Sequence, residues 1–238
     1  EHTDKNFESR LTAIRDQLSE MSAVVEKQLS LAINCIKSKD SEFSETIQNL
    51  DLQVDDFEKA VRDECFEVLT LHRPVASDLR LVFTALKVSK EMERIGDHCR
   101  GLSNKAINSK SDLELEIIEE LNALGKSVWY LVHEGFDSLF AGNQEKAKES
   151  WRRDLEIDKL YKSILKTLID KMEKNESIVE SGTQHILIAK SLERIGDHAA
   201  NIAEEVIFNI SGQYQDLEKI NNLIISTVET KSGAKIRS

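Results

Sequence analysis

Glu93-Arg94-Ile95-Gly96-Asp97-His98 recurs unchanged as Glu193-Arg194-Ile195-Gly196-Asp197-His198, one hundred positions later in a chain of 238 residues. Six identical residues at that distance, in a sequence without low-complexity stretches, mark an internal duplication, and a duplication fixes architecture before any local reading is needed. The match extends upstream. Asp51-Leu52-Gln53-Val54-Asp55 pairs with Asp154-Leu155-Glu156-Ile157-Asp158, and Met21, Val25 and Leu29 pair with Leu124, Val128 and Val132. The offset is 103 in these stretches and 100 at the hexapeptide, so the copies differ in length between Asp55 and Glu93. A length change marks a loop, and there the first copy has Arg73-Pro74 while the second has the residues between Asn175 and Gly182.

Periodicity says what is duplicated. Leu11, Ile14, Leu18, Met21, Val25, Leu29, Ala32 and Ile36 fall three or four apart, a helical period held over many turns that no strand shows. Three such segments per copy predict helices over 5–37, 42–72, 74–106, 113–141, 144–174 and 177–209. Pro74, the only proline, falls at a break between two segments, where its fixed φ and missing N–H suit the first turn of the next helix. The expected fold is all-α. It consists of two tandem three-helix bundles, residues 1–108 and 109–212, related by a pseudo-twofold internal repeat, and a C-terminal tail over 213–238. Leu217, Ile220, Leu223 and Ile224 give that tail a weak helical pattern with no counterpart in the first copy.

Nine glycines and one proline exclude a turn-rich all-β fold, and hydrophobic residues at 40% suffice for a core. A net charge of −11 and a pI near 5.1 argue against nucleic acid as a partner, because phosphate backbones are bound by clustered Lys and Arg. Most charges on long amphipathic helices are simply their solvated faces. An acid is therefore informative only where it leaves such a face. Cys35, Cys65 and Cys99 have neither metal-ligand nor disulfide spacing and read as small core residues in a reducing compartment. No apolar run of about 18 residues occurs, and no charged-then-apolar leader precedes Glu1, so a cytoplasmic protein without membrane insertion is expected.

At about 100° per residue, Leu79, Val82, Phe83 and Leu86 form one line along the third helix, and Glu93 and Asp97 fall on its continuation. Leu81, Val88, Met92, Ile95, Cys99 and Leu102 form a second apolar line, which predicts a helix sandwiched at the centre of its bundle. On the second helix Asp51 and Asp55 lead into Phe66 and Leu69, and in the second copy Asp158 leads into Leu165, Ile169 and Met172. Each half is thus expected to interrupt apolar core lines with carboxylates, up to four of them converging. Burying like charges costs several kcal/mol per ion. Arg62, Arg94 and Arg194 are close enough in sequence to compensate through a salt-bridged core; bound cations are the other answer and the preferred one. An all-oxygen, multi-carboxylate site suits Mg, Mn, Ca or iron rather than a structural zinc built on Cys and His. His98 and His198 lie about 100° off the acid line and are expected to pack rather than to ligate. His185 is assigned no role.

The Glu-x-x-x-Asp motif at Glu93/Asp97 and Glu193/Asp197, the segment Arg73-Pro74-Val75-Ala76-Ser77-Asp78-Leu79-Arg80 and the tandem bundles resemble the PhoU family of phosphate-transport regulators, over residues 7–209. The resemblance implies a cytoplasmic, homodimeric, all-helical protein that is not an enzyme. It implies negative regulation of the phosphate-starvation response, linking the ATPase of the phosphate ABC transporter to a membrane sensor histidine kinase. It also implies multinuclear metal sites, holding a hard cation such as Fe, Mn or Mg, at Glu93, Asp97, Glu193 and Asp197 by direct motif match. Asp51, Asp55, Asp154 and Asp158 follow from the matching second-helix positions.

The second copy lacks the Arg-Pro segment. Arg73, Asp78 and Arg80 are therefore expected either to form a partner-contacting surface special to the first half, or to serve a helix that starts at Pro74, with Arg80 paired to a neighbouring acid. A di-iron carboxylate oxidase is excluded, since its Glu-x-x-His signature is absent: no Glu has a His three residues later. The alternative that stands is a metal-binding helical scaffold, or a coiled-coil interaction protein, without a role in phosphate signalling. Regular apolar spacing would serve it equally well, but it does not explain why identical acids recur in both halves.

Overall fold

The computed structural model describes residues 2–109 and 115–214. Six long helices account for nearly all of them: α1 (His2–Ser38), α2 (Ser41–His72), α3 (Ala76–Asn108), α4 (Leu115–Ala141), α5 (Gln144–Lys174) and α6 (Val179–Ser211), with one turn of 3-10 helix at Glu176–Ile178 before α6. The fold is the expected all-α pair of three-helix units. The weak tail pattern from Leu217 onward and the join at residues 110 and 111 lie outside the described residues.

Local chemistry sets the helix ends. The Asp40 carboxylate accepts from the Glu42 N–H at 2.9 Å and the Asn143 side chain accepts from the Lys146 N–H at 3.1 Å, satisfying donors that a helix start leaves unpaired. Gly212 ends α6 in the left-handed region at φ +73°, with its N–H on the Phe208 carbonyl at 2.8 Å. One expectation fails here. Pro74 does not open α3, which starts two residues later at Ala76, behind an extended Val75. A proline biases the residue before it away from the α region, and Arg73 instead closes α2 in the left-handed conformation, φ 47°. Arg73, Pro74 and Val75 form a linker of three residues where the second copy has Asn175 alone between α5 and the 3-10 turn, and α5 stops one residue short of the place equivalent to His72, which together make up the three-residue change of offset.

Helix α3 packs on α1, α2 and α6, as its two-sided apolar pattern predicts. Val82, Val88, Met92, Ile95, Cys99 and Leu102 on it are fully buried. Each such side chain contributes about 1.5–3 kcal/mol by leaving water. The two units meet twice, through α3 on α6 and through α1 on α4. The α3–α6 pair runs antiparallel, and polar contacts fix its register. Lys87 pairs with Glu205 at 2.8 Å, Lys105 donates to Ser191 Oγ at 2.9 Å, and Glu91 receives His198 Nδ1 at 2.7 Å. The Arg80 guanidinium closes the far end on the Asn209 carbonyl at 3.2 Å, so Arg80 binds a helix terminus and not the acid expected for it.

Candidate metal centre

Apart from the buried Asp51, the acids do not lie in the core. Phe83 is 48% exposed, Phe66 54% and Ile169 40%, so the line leading to Glu93 and Asp97 and its α2 and α5 counterparts follow the rim of the α2–α3 and α5–α6 clefts. The buried face of α3 is the second line from Val88 to Leu102, joined by Val82 of the first. This places the carboxylates where cations reach them, beside the core and not inside it.

Between α5 and α6 the acids converge. Asp158, Glu193 and Asp197 each offer an oxygen within 4.8 Å of the other two, the one such group among the described residues. Asp154, one turn before Asp158, adds a fourth carboxylate whose Oδ1 is buried without a hydrogen-bond partner. Gly196 lets α6 come close enough for this: a Cβ there would stand 3.1 Å from Asp154 Oδ1. Lys190 meets Glu193 at 2.5 Å and Lys162 meets Asp158 at 3.2 Å, both from the edge of the cleft. Burial, followed by the charges of Asp197, Asp158 and Glu193, pushes the Asp154 carboxyl up to about 7. Burial, then Glu193, raises Asp197 as well. An oxygen-only cluster carrying more negative charge than its neighbours neutralise, with the buried Asp154 Oδ1 lacking a donor, fits a hard cation.

The first cleft has the same acids and a different balance. Arg100 spans it, 3.0 Å from Oδ2 of Asp51 and 2.6 Å from Oδ1 of Asp97, and the Asp51 side chain is only 5% exposed. From α1 the buried Gln28 donates to Asp51 Oδ1 at 3.2 Å and to the carbonyls of Ile47 and Gly96. Burial still raises the Asp51 carboxyl, against the pull of Gln28 and Arg100. Glu93 pairs with Lys90 at 2.7 Å, as Glu193 does with Lys190. Among the described residues Asp55 joins no cluster of three acids. An open groove of about 620 Å³, lined by Gln48, Asp51, Asp97, Arg100 and Asn104, leads to the site.

The arginines expected to compensate the acids do other work, Arg62 pairing with Glu58 and Arg94 with Glu91. Arg100 and Gln28 carry that role, and sequence reasoning missed both. A signal for Arg100 existed: it stands three residues after Asp97, on the same helix face, and its counterpart is Ala200. Gln28 corresponds to Leu131, a difference visible only once its partner in α2 is known. His98 and His198 are off the acid line and stack on each other across the α3–α6 seam. His185 is buried, with Nδ1 on the Ser181 carbonyl at 2.6 Å.

Fold and site together define a class: all-helical tandem repeats, each unit presenting a carboxylate cleft between its second and third helices. The family model described as PhoU domain matches residues 18–106 and 121–206, one match per repeat. The chain belongs to the PhoU family. It is 32% identical over 216 residues to the phosphate-specific transport system accessory protein PhoU homolog of Clostridium acetobutylicum, covering 90% of this chain and 99% of that one. Against the accessory protein PhoU of Escherichia coli the identity is 30%, covering 89% of this chain and 88% of the relative. The crystal structure of PhoU from Pseudomonas aeruginosa superposes with a TM-score of 0.82 at 31% identity, covering 87% of this chain and all of that one. That of the phosphate transport system regulatory protein PhoU from Streptococcus pneumoniae also gives 0.82, at 29% identity, covering 88% and 99%. No described helix is long and apolar enough to cross a membrane.

Proposed function

We propose that the protein is a cytoplasmic accessory regulator of a phosphate-specific transport system, not an enzyme, which restrains the phosphate-starvation response when phosphate is plentiful. Its partners in this reading are the ATPase of the phosphate ABC transporter, a membrane sensor histidine kinase and a second copy of itself. The observation that carries the reading is the PhoU match in both repeats, which spans the clefts as well as the core. The test is a phosphate-repressible reporter in phosphate-replete medium, with and without the gene. Derepression on deletion is expected; unchanged repression would overturn the negative-regulator role.

The same reading gives the second cleft a hard divalent or trivalent cation, held by Asp158, Glu193 and Asp197 with Asp154 beside them. Asp51, Asp55, Glu93 and Asp97 are the corresponding ligands of the first cleft. A bound cation would supply positive charge between two helices that otherwise repel across their acids. Metal analysis of untagged protein purified without chelator tests this, and equal trace amounts in wild type and in the Asp97→Ala, Asp197→Ala double variant would sink it. One observation favours a scaffold without metal: in the first cleft Arg100 and Lys90 already pair the acids.

A further inference from the structure

We infer that Arg100 is a built-in cation of the first cleft, so that the two clefts of one chain load a divalent cation unequally, the second before the first. The inference rests on the metal reading above and concerns its regulation. Its ground is a comparison the duplication itself supplies. At an offset of 100 the Lys90–Glu93 contact repeats as Lys190–Glu193, so those cations cancel between the halves. Of the differences that remain, the two that reach the Asp51 carboxylate are Arg100 against Ala200, and Gln28 against Leu131.

Those two differences act on one carboxylate. Asp51 has Oδ1 on the Gln28 amide and Oδ2 on the Arg100 guanidinium, whereas the equivalent Asp154 has a buried Oδ1 with no partner and neither group in reach to supply one. Asp51 and Asp97 thus hold a guanidinium in one repeat, whereas the like-placed acids of the other have only lysines at their edge. An entering divalent ion meets a positive charge 2.6 Å from Asp97 in the first cleft and must displace it. In the second cleft the methyl group of Ala200 offers no such charge. The Arg100 side chain is 47% exposed, so it leaves the cleft by rotating into solvent without opening the core. Occupation of the first cleft therefore coincides with release of a guanidinium to the surface. That gives the chain a response at high cation activity distinct from the one at low activity.

The test is Mn²⁺ titration of the chelator-treated full chain, followed calorimetrically and by the paramagnetic signal of free Mn²⁺, in wild type, Arg100→Ala, Arg100→Lys and Asp158→Asn. Wild type is expected to bind in a tight and a weak class. Arg100→Ala should tighten the weak class roughly tenfold or more, the scale on which one unfavourable charge contact acts, Arg100→Lys should leave it weak, and Asp158→Asn should abolish the tight class alone. Two classes that do not respond to Arg100→Ala would overturn the inference while leaving the metal reading intact. Absence of saturable binding in wild type and Arg100→Ala alike would overturn the metal reading and the inference with it.

Discussion

His98 and His198, equivalent residues of the two repeats, stack ring on ring with 5.3 Å between centroids at the seam between α3 and α6. Their surroundings are unlike. His198 is held by Glu91 at 2.7 Å, while the residue equivalent to Glu91, facing His98, is Ser191, bonded to Lys105. Burial, then His198, Arg194 and Lys105, lowers the His98 imidazole to about 4, against a weaker upward pull from Asp97.

A base whose folded pKa lies below its unfolded value contributes stability that is complete above the unfolded value and is lost as pH falls toward the folded one. His98 therefore weakens the α3–α6 seam between about pH 6.5 and 4. Titration of the ring carbon signals by NMR should show His98 neutral at pH 5. A midpoint near 6 or above would contradict the burial argument.

Asp154 works in the opposite sense. Its folded carboxyl, at about 7, holds a proton that the unfolded chain releases near 4, so its contribution is complete below that pH and disappears as pH rises through 7. In chelator-treated protein, the difference in melting temperature between wild type and Asp154→Asn should change by about 2–4 °C from pH 5 to pH 8, the shift for ~1 kcal/mol in a chain of this size. His98 is present in both proteins, so its opposing slope cancels. Parallel pH profiles for the two would refute the assignment.

Glycines at equivalent places in the clefts should differ in tolerance. A Cβ at Gly96 meets the Gln28 Oε1 at 3.0 Å, and Gln28 is wholly buried and tied to three acceptors, so it has nowhere to go. A Cβ at Gly196 meets Asp154 Oδ1 at 3.1 Å, and that carboxylate makes no hydrogen bond through Oδ1 that would be lost by turning away. Gly96→Ala should cost about 1–3 kcal/mol, the usual scale of overpacking. Gly196→Ala should cost less and instead weaken Mn²⁺ binding. Chemical denaturation beside a Mn²⁺ titration decides it, and equal stability losses would count against the distinction.

Glu205 is 9% exposed and depends on Lys87 and on the Tyr214 hydroxyl, which Lys87 also contacts and whose ring stacks on Phe208. Lys87→Met leaves that carboxylate with a phenol alone. Because Lys87 is half exposed, the loss should be about 1 kcal/mol in urea unfolding, well below that of a fully buried pair. Glu205→Gln combined with Lys87→Met should recover much of it.

The six helices were legible because the 3.6-residue period runs through each of them, and the duplication because a hexapeptide repeats. Which apolar line of α3 faces the core was not. Two lines satisfied the same period, and on one of them Val82 is buried while Phe83 beside it stays at the surface. The acids were legible as residues and as a pair of sites, but their electrostatic partners were not. Gln28 reaches Asp51 across 23 residues and a change of helix, which no local pattern records. The linker error has a similar origin: a proline two residues before a helix and a proline inside its first turn differ only in backbone angles that Arg73 and Val75 adopt.

The dyad relating the repeats passes between α3 and α6 on one side and between α1 and α4 on the other. The two clefts therefore exchange places under that half turn. A partner that spans both meets a backbone that looks the same either way round. Arg100 in one cleft, where the other has Ala200, removes that degeneracy, giving the pair a head and a tail that the backbone lacks.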